Sequence, residues 1–234
     1  VVVGWFLKYL FAAVTGTLIQ VEDMGAYFGE IAVSFGSIPW HMLGLLLTFI
    51  IMALGVTKGI EKMNKIMMPV FFVFFVILMI RVFTLGNVAE GYRYLFVPKW
   101  EYLANPRTWV FALGQAFFSL SLAGSGTIVY GSYLTKDTDV VYSARNVAFF
   151  DTCAALLAGL VVIPAVFAFG MDVSAGPPLM FIILPSVFQQ MPFGQLFAIV
   201  FFVAVLFAAI TSLMNLFETP IEALQKLFDL QKKA

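Results

Sequence analysis

The chain has 234 residues, of which 62% are hydrophobic and 11% are charged, and its mean hydropathy is +0.99. So little polar surface cannot cover a soluble domain of this length. A formal net charge of zero gives no indication of nucleic-acid binding, and the single cysteine excludes an internal disulfide and any cysteine-based metal cluster. The composition therefore predicts an integral membrane protein in contact with the lipid bilayer.

Uncharged stretches of about 20 residues alternate with charged segments, which predicts an all-α fold with six transmembrane spans. Val1 lies inside the first apolar run, without an initiating Met or a basic leader, so we expect a fragment with a truncated first span. The GPP motif at 176–178, with Pro185 and Pro192, predicts a hairpin before the last span. The expected single transmembrane domain has spans at 1–20, 38–57, 66–85, 109–134, 146–170 and 193–219, and an extracellular hairpin at 171–192.

Basic residues are distributed unevenly between the two sets of alternate loops. One set, together with the chain end, carries eight Lys and Arg residues, whereas the other set carries five. Because positive charge favours the cytoplasmic face of a membrane, the sequence predicts a multi-pass cell-membrane protein with a cytoplasmic chain end. The loops at 21–37, 86–108 and 171–192 are then extracellular. The eight cytoplasmic residues are Lys58, Lys62, Lys65, Lys136, Arg145, Lys226, Lys232 and Lys233.

The fourth predicted span contains a cluster of small residues in its middle, namely Ser119, Ser121, Gly124, Ser125 and Gly126. Such residues weaken a helix through backbone entropy and through side chains that compete for backbone groups. Unwound backbone within a membrane is tolerated where it lines a cavity, and transporters bind substrates and ions at such breaks. We therefore expect an interrupted helix at a binding site. The alternative is that these residues only allow close helix packing.

Polar residues also occur inside the fifth and sixth spans. Asp151 follows Arg145 by six residues, or roughly 9 Å along a helix. An Asp near the centre of a bilayer costs about 2.5–3.5 kcal/mol, so it usually faces a cavity, and its oxygens suit Na⁺ or a proton relay. The alternative is an Asp bonded between helices or directed toward the cytoplasm. Thr211 and Ser212 are less specific, because hydroxyls in membrane helices commonly bond to the carbonyl of the preceding turn.

Four segments carry a resemblance to a known family: GQAFFSLSLAGSGTIVYGSYL (114–134), AGPPLMFIILPSVF (175–188), GIEKMNKIMMP (59–69) and AAITSLMNLFETP (208–220). With them, the chain resembles the neurotransmitter:sodium symporter family over essentially its whole length. The resemblance implies the LeuT-type fold, in which two inverted repeats of five helices hold substrate and Na⁺ at broken first and sixth helices. The chain would correspond to roughly the third to eighth helices of a prokaryotic-like member.

The resemblance also implies roles for individual residues. Phe118 and Ser119 would offer backbone carbonyls to the ammonium group of an amino acid, and Ala208 would offer its carbonyl to sodium. The implied substrate-binding residues are Phe118, Ser119, Ser121, Gly124, Ser212 and Leu216. The implied ligands are Ser119 and Asp151 for a first sodium and Ala208, Thr211 and Ser212 for a second. The implied gating residues are Gln115, Tyr133 and Glu218.

Two positions depart from the family pattern. Gly124 stands where several relatives carry an aromatic residue in the pocket wall, which leaves the pocket for the substrate side chain either wider or filled by a group outside this chain. Ala155 stands where chloride-coupled relatives carry a serine, and Asp151 stands where many members carry an asparagine. A fixed carboxylate can replace a bound anion beside sodium. The departures therefore predict transport that does not require chloride.

Three functions can be considered for such a chain. The first is sodium-coupled symport of an amino acid or related small amine into the cell by alternating access. The second is a family member that no longer transports and acts as a sensor or scaffold, against which the retained sodium-site residues argue. The third is an intramembrane hydrolase, but His41 is the only histidine and the residues at 124–126 lack the spacing of a GxSxG elbow. We therefore predict a transporter rather than an enzyme.

Overall fold

The computed structural model describes residues 1–33, 35–54, 60–122, 126–170 and 178–228. Within these ranges the backbone is almost entirely helical and forms no strand. This agrees with the all-α fold that the hydropathy pattern predicts. The α-helices are α1 Val2–Thr15, α2 Met24–Val33, α3 Ile38–Ala53, α4 Lys62–Phe83, α5 Ala89–Phe96, α6 Pro106–Ser119, α7 Gly126–Ser132, α8 Val140–Ala168, α9 Leu184–Gln190 and α10 Gly194–Leu227.

Among the described residues, four helical segments are long and apolar enough to cross a membrane: Phe35–Ala53, Lys62–Phe83, Val140–Ala168 and Gly194–Leu227. They coincide with the second, third, fifth and sixth predicted spans. The first predicted span falls on the shorter apolar helix α1, and the fourth is divided between α6 and α7. The count of six spans and their boundaries stay a prediction, as does the single transmembrane domain.

Helix ends differ from the ends of the predicted spans because polar residues extend helices beyond the apolar stretch. α8 begins at Val140 rather than near residue 146, since the carboxylate of Asp139 accepts a hydrogen bond of 2.9 Å from the Tyr142 N–H and caps the first turn. α10 continues past Pro220 to Leu227. The predicted loops at 21–37 and 86–108 contain the short helices α2 and α5.

The described residues form two structural units. The first contains residues Val1–Leu95 and Leu157–Met214, and its core is rich in aromatic side chains. The Phe181 ring lies 5.0 Å from Phe6 and 5.3 Å from Tyr9, measured between ring centroids. The Tyr9 hydroxyl donates a 2.7 Å hydrogen bond to the Phe181 carbonyl. These contacts fix the helical part of the predicted hairpin, residues 178–190, against α1, while residues 171–177 lie outside the described ranges.

The second unit contains Phe96–Leu156 and the residues from Asn215 to the end of α10. It therefore includes α6, α7, the first half of α8 and the last turns of α10. Pro106 occupies the first turn of α6, and the Asn105 side chain accepts a 3.0 Å hydrogen bond from the Arg107 N–H. This start is typical of a well-capped helix. The unit holds the break predicted in the fourth span.

Candidate substrate and sodium sites

The predicted interruption of the fourth span is confirmed. α6 ends at Ser119 and α7 begins at Gly126. Ser121 adopts a left-handed backbone with φ 55, an unusual conformation for a residue with a side chain. Its carbonyl accepts a 2.8 Å hydrogen bond from the Thr127 hydroxyl, which ties the first half-helix to the second. The α-helix is therefore interrupted between Ser119 and Gly126, and residues 123–125 lie outside the described residues.

Two of the residues implied for the first sodium site lie together in the second unit. The Ser119 hydroxyl donates a 2.6 Å hydrogen bond to Asp151 Oδ1, across 32 positions of sequence. This distance is typical of a hydroxyl bonded to a carboxylate. Asp151 is half-buried on α8. The pair places a carboxylate and a hydroxyl oxygen at the end of α6, and both are hard oxygen donors of the kind that alkali and alkaline-earth cations prefer.

The residues implied for the second sodium site lie on one turn of α10 in the first unit. The Thr211 hydroxyl donates a 2.8 Å hydrogen bond to the Ala208 carbonyl, and the Ser212 hydroxyl donates to the same carbonyl at 3.0 Å. Three oxygens therefore lie side by side. Back-bonding of this kind is also ordinary in membrane helices, so the contact alone does not define an ion site.

The implied gating residues Tyr133 and Glu218 are in direct contact in the second unit. The Tyr133 hydroxyl donates to Glu218 Oε1 at 2.8 Å and lies 3.2 Å from Glu222 Oε2. Glu218 is only 2% exposed. One phenol thus bridges two acidic side chains one turn apart on α10. Glu222 was not identified from the sequence, although its position four residues after Glu218 places it on the same helix face.

Three other predicted site residues have exposed side chains. Phe118 is 78% exposed and Leu216 is 71% exposed, and Gln115 is exposed on α6. The Phe118 carbonyl accepts a 3.0 Å hydrogen bond from the Ser121 N–H, and a carbonyl oxygen has a second lone pair that can accept another bond. Gly124 lies outside the described residues.

Sequence analysis missed Asn215, which contacts both ends of the break. Its Nδ2 lies 3.4 Å from Ser121 Oγ, and its side chain covers Gly126. A signal for this residue was present, because an amide in an apolar span, between Ser212 and Leu216, is expected to form a hydrogen bond with another helix.

Known proteins have sequences similar to this chain. The model of the Sodium:neurotransmitter symporter family matches residues 20–234. The chain is 40% identical over 229 residues to the uncharacterized sodium-dependent transporter YhdH of Bacillus subtilis, covering 97% of this chain and 51% of that protein. It is 34% identical over 232 residues to an uncharacterized sodium-dependent transporter of Haemophilus influenzae, covering 95% of this chain and 50% of that protein.

A solved structure is also similar to this chain. The crystal structure of MhsT in complex with L-phenylalanine matches with a TM-score of 0.88 and 41% sequence identity, covering 97% of this chain and 52% of MhsT. The chain thus spans about half the length of the relatives that it matches. At this level of identity the match shows the fold, and it confirms the LeuT-type fold that the four sequence segments imply.

Proposed function

Because this chain belongs to the sodium:neurotransmitter symporter family, we propose that its protein carries out sodium-coupled transport of an amino acid or related small amine into the cell. The observation that carries the proposal is the Ser119–Asp151 hydrogen bond at the break between α6 and α7. A broken helix supplies carbonyls freed from helical bonding, and the hydroxyl–carboxylate pair supplies side-chain oxygens beside them. Both are needed to remove the water shell of a cation.

The residues at the same break indicate the chemical class of the substrate. The Phe118 carbonyl, through its second lone pair, and the Ser121 hydroxyl can both accept hydrogen bonds, and acceptors near a carboxylate favour an ammonium group. MhsT, with 41% identity, has been solved with L-phenylalanine bound, which supports an amino acid as the substrate class. The glycine at 124 favours a side-chain pocket of generous width. Gln115 and Leu216 complete the proposed gate and pocket.

The ion sites are proposed in two places. Ser119 and Asp151 bind a first sodium, and Asp151 supplies the negative charge that makes chloride unnecessary. Ala208, Thr211 and Ser212 bind a second sodium through one carbonyl and two hydroxyl oxygens. Each set provides fewer than the roughly six oxygens that hard cations usually take, so the remaining ligands come from other backbone groups or from the substrate carboxylate.

Alternating access requires a gate on the cytoplasmic side, and the Tyr133–Glu218 contact fits this role. Because Glu218 is buried, breaking its 2.8 Å bond to Tyr133 has a free-energy cost, which keeps the gate closed. The binding of sodium and substrate can change this cost and so shift the equilibrium between the closed and the open gate. We place the protein in the cell membrane, with its chain end in the cytoplasm and lipid around its apolar helices. It is a transporter rather than an enzyme.

Binding and uptake of a radiolabelled amino-acid panel by the full-length protein test the proposal. The expected result is uptake in Na⁺ medium that is absent when choline replaces Na⁺, with at least one amino acid competing for the signal. A protein that binds an amino acid in a Na⁺-dependent way without moving it would instead be the sensor or scaffold of the family. Absence of both Na⁺-dependent binding and uptake would refute the proposed ion sites.

A further inference from the structure

Asn215 on α10 lies against both ends of the break between α6 and α7, within one structural unit. Its Nδ2 donates a 3.4 Å hydrogen bond to Ser121 Oγ on the first side of the break. On the second side it covers Gly126: a Cβ atom added to Gly126 would overlap Asn215 Oδ1 and would lie 3.1 Å from Asn215 Cγ. The side chain of Asn215 therefore contacts both Ser121, before the break, and Gly126, at the start of α7.

The oxygen of this amide is buried and accepts no hydrogen bond from the residues that the structure describes. A buried acceptor without a donor carries a free-energy cost, which native proteins usually avoid. Two features keep the amide in place nonetheless. Gly126 has no side chain, so the amide can approach its backbone, and Ser121 has the left-handed φ of 55 that exposes its hydroxyl to Asn215.

We propose that Asn215 is a positioning residue that sets the spacing of the substrate site by holding Ser121 and Gly126 apart at a fixed distance. The inference rests on the proposed function and extends it, since Asn215 acts through the Ser121 hydroxyl, the acceptor assigned to the substrate ammonium. The amide N–H fixes the rotamer of that hydroxyl, and the amide body supports the start of α7. Gly126 is required because any larger residue would displace the amide.

Asn215→Leu removes the hydrogen bond while it keeps a side chain of the same branched shape, because leucine has the same number of heavy atoms as asparagine but cannot donate to Ser121. We expect the Asn215→Leu variant to raise the KM for amino-acid uptake about tenfold, equivalent to about 1.4 kcal/mol, while the maximal rate and the melting temperature change little. The matched control is Leu213→Met, two residues earlier on α10, which leaves KM unchanged. An unchanged KM in Asn215→Leu would overturn the proposal.

Steric complementarity gives a second, independent test. The methyl group introduced by Gly126→Ala would overlap the Asn215 amide, so uptake and thermal stability should both fall. Adding Asn215→Ala vacates that space, and the double variant should recover at least half of the melting-temperature loss of Gly126→Ala. Losses that simply add in the double variant would show that Asn215 does not pack against Gly126 and would overturn the proposal.

A labelling readout distinguishes failure of this inference from failure of the proposed function. In a Cys153→Ser background, the Leu122→Cys variant reports the break, because Leu122 is exposed beside Ser121. Asn215→Leu should increase its reaction rate with a methanethiosulfonate reagent at least about threefold, since the break loses one tether. If the wild type does not take up amino acids, the proposed function fails, but the labelling rates still show whether Asn215 holds the break in place. Equal labelling rates would overturn the role of Asn215.

Discussion

Replacing Asp151 by asparagine tests the proposed first sodium site with the smallest change of shape. Asparagine keeps an oxygen that can accept the 2.6 Å hydrogen bond from the Ser119 hydroxyl, but it removes the negative charge. The geometry of the pair is therefore retained while its attraction for a cation is lost. We expect a lower affinity for Na⁺ and a protein that still folds.

The magnitude follows from the charge and the burial of Asp151. Two unit charges about 4 Å apart attract by about 4 kcal/mol at an effective dielectric constant near 20. Asp151 is only half-buried, so water screens part of this attraction and we expect about 1.4–2.8 kcal/mol to be lost. That loss corresponds to an increase of about 10-fold to 100-fold in the Na⁺ concentration at half-maximal uptake.

The assay is amino-acid uptake as a function of Na⁺ concentration at constant ionic strength, in chloride and in gluconate. Asp137→Asn is the matched control, because Asp137 is an exposed carboxylate in the turn before α8 and should leave the Na⁺ dependence unchanged. The wild type should be equally active in both anions. The Asp151→Asn variant should regain Na⁺ affinity only where chloride enters near Ala155, so its activity should be higher in chloride than in gluconate.

The reasoning is refuted if Asp151→Asn and Asp137→Asn have the same Na⁺ dependence as the wild type. It is also refuted if wild-type uptake collapses in gluconate, because the carboxylate would then not be supplying the compensating charge. Ser119→Thr keeps the hydroxyl and should retain activity, whereas Ser119→Ala should raise the half-saturating Na⁺ concentration. Equal Na⁺ dependence of these two variants would show that the Ser119 hydroxyl is not a sodium ligand.

Three further variants address the second ion site, the gate and the packing of the first unit. Thr211→Val should raise the half-saturating Na⁺ concentration by about tenfold, since it removes one oxygen ligand; Ser186→Ala, which removes a similar 2.8 Å back-bond, should not change it. Tyr133→Phe should increase the labelling of a cysteine introduced in α7 by a reagent added from the cytoplasmic side, because the buried Glu218 loses a hydrogen-bond donor. Equal labelling of the variant and the wild type would contradict the proposed gate. Gly91→Ala should destabilise the protein by about 1–3 kcal/mol, measured by thermal unfolding, since the new methyl would meet the proline backbone of α8. Gly159→Ala is its control, because the nearest atom would lie at 3.7 Å.

The break in the fourth span could be predicted from sequence because its cause is local. The glycine and serine residues between 119 and 126 disfavour a continuous helix wherever they occur. The structure places the end of α6 at Ser119 and the start of α7 at Gly126, the limits that the cluster predicted. The overall fold could be predicted for a different reason, since four segments resemble a family of known architecture.

Contacts between distant segments could not be predicted from composition or periodicity. The Ser119–Asp151 pair spans 32 positions, and only the family resemblance placed both residues at one ion site. The Asn215 contact with Ser121 spans 94 positions and had no such support. Helix ends also differ from the ends of the predicted spans, because hydropathy indicates where the lipid begins, whereas α8 is capped by Asp139 and α10 continues to Leu227.

Accumulation of an amino acid against its own gradient, driven only by sodium, is the most direct test of the central claim. The full-length protein would be reconstituted in proteoliposomes loaded with potassium gluconate and diluted into sodium gluconate containing the best amino acid from the panel. We predict that the amino acid reaches a higher concentration inside than outside, and that the gradient disappears when Na⁺ is equal on both sides. Equal concentrations inside and outside under an inward Na⁺ gradient would contradict sodium-coupled symport.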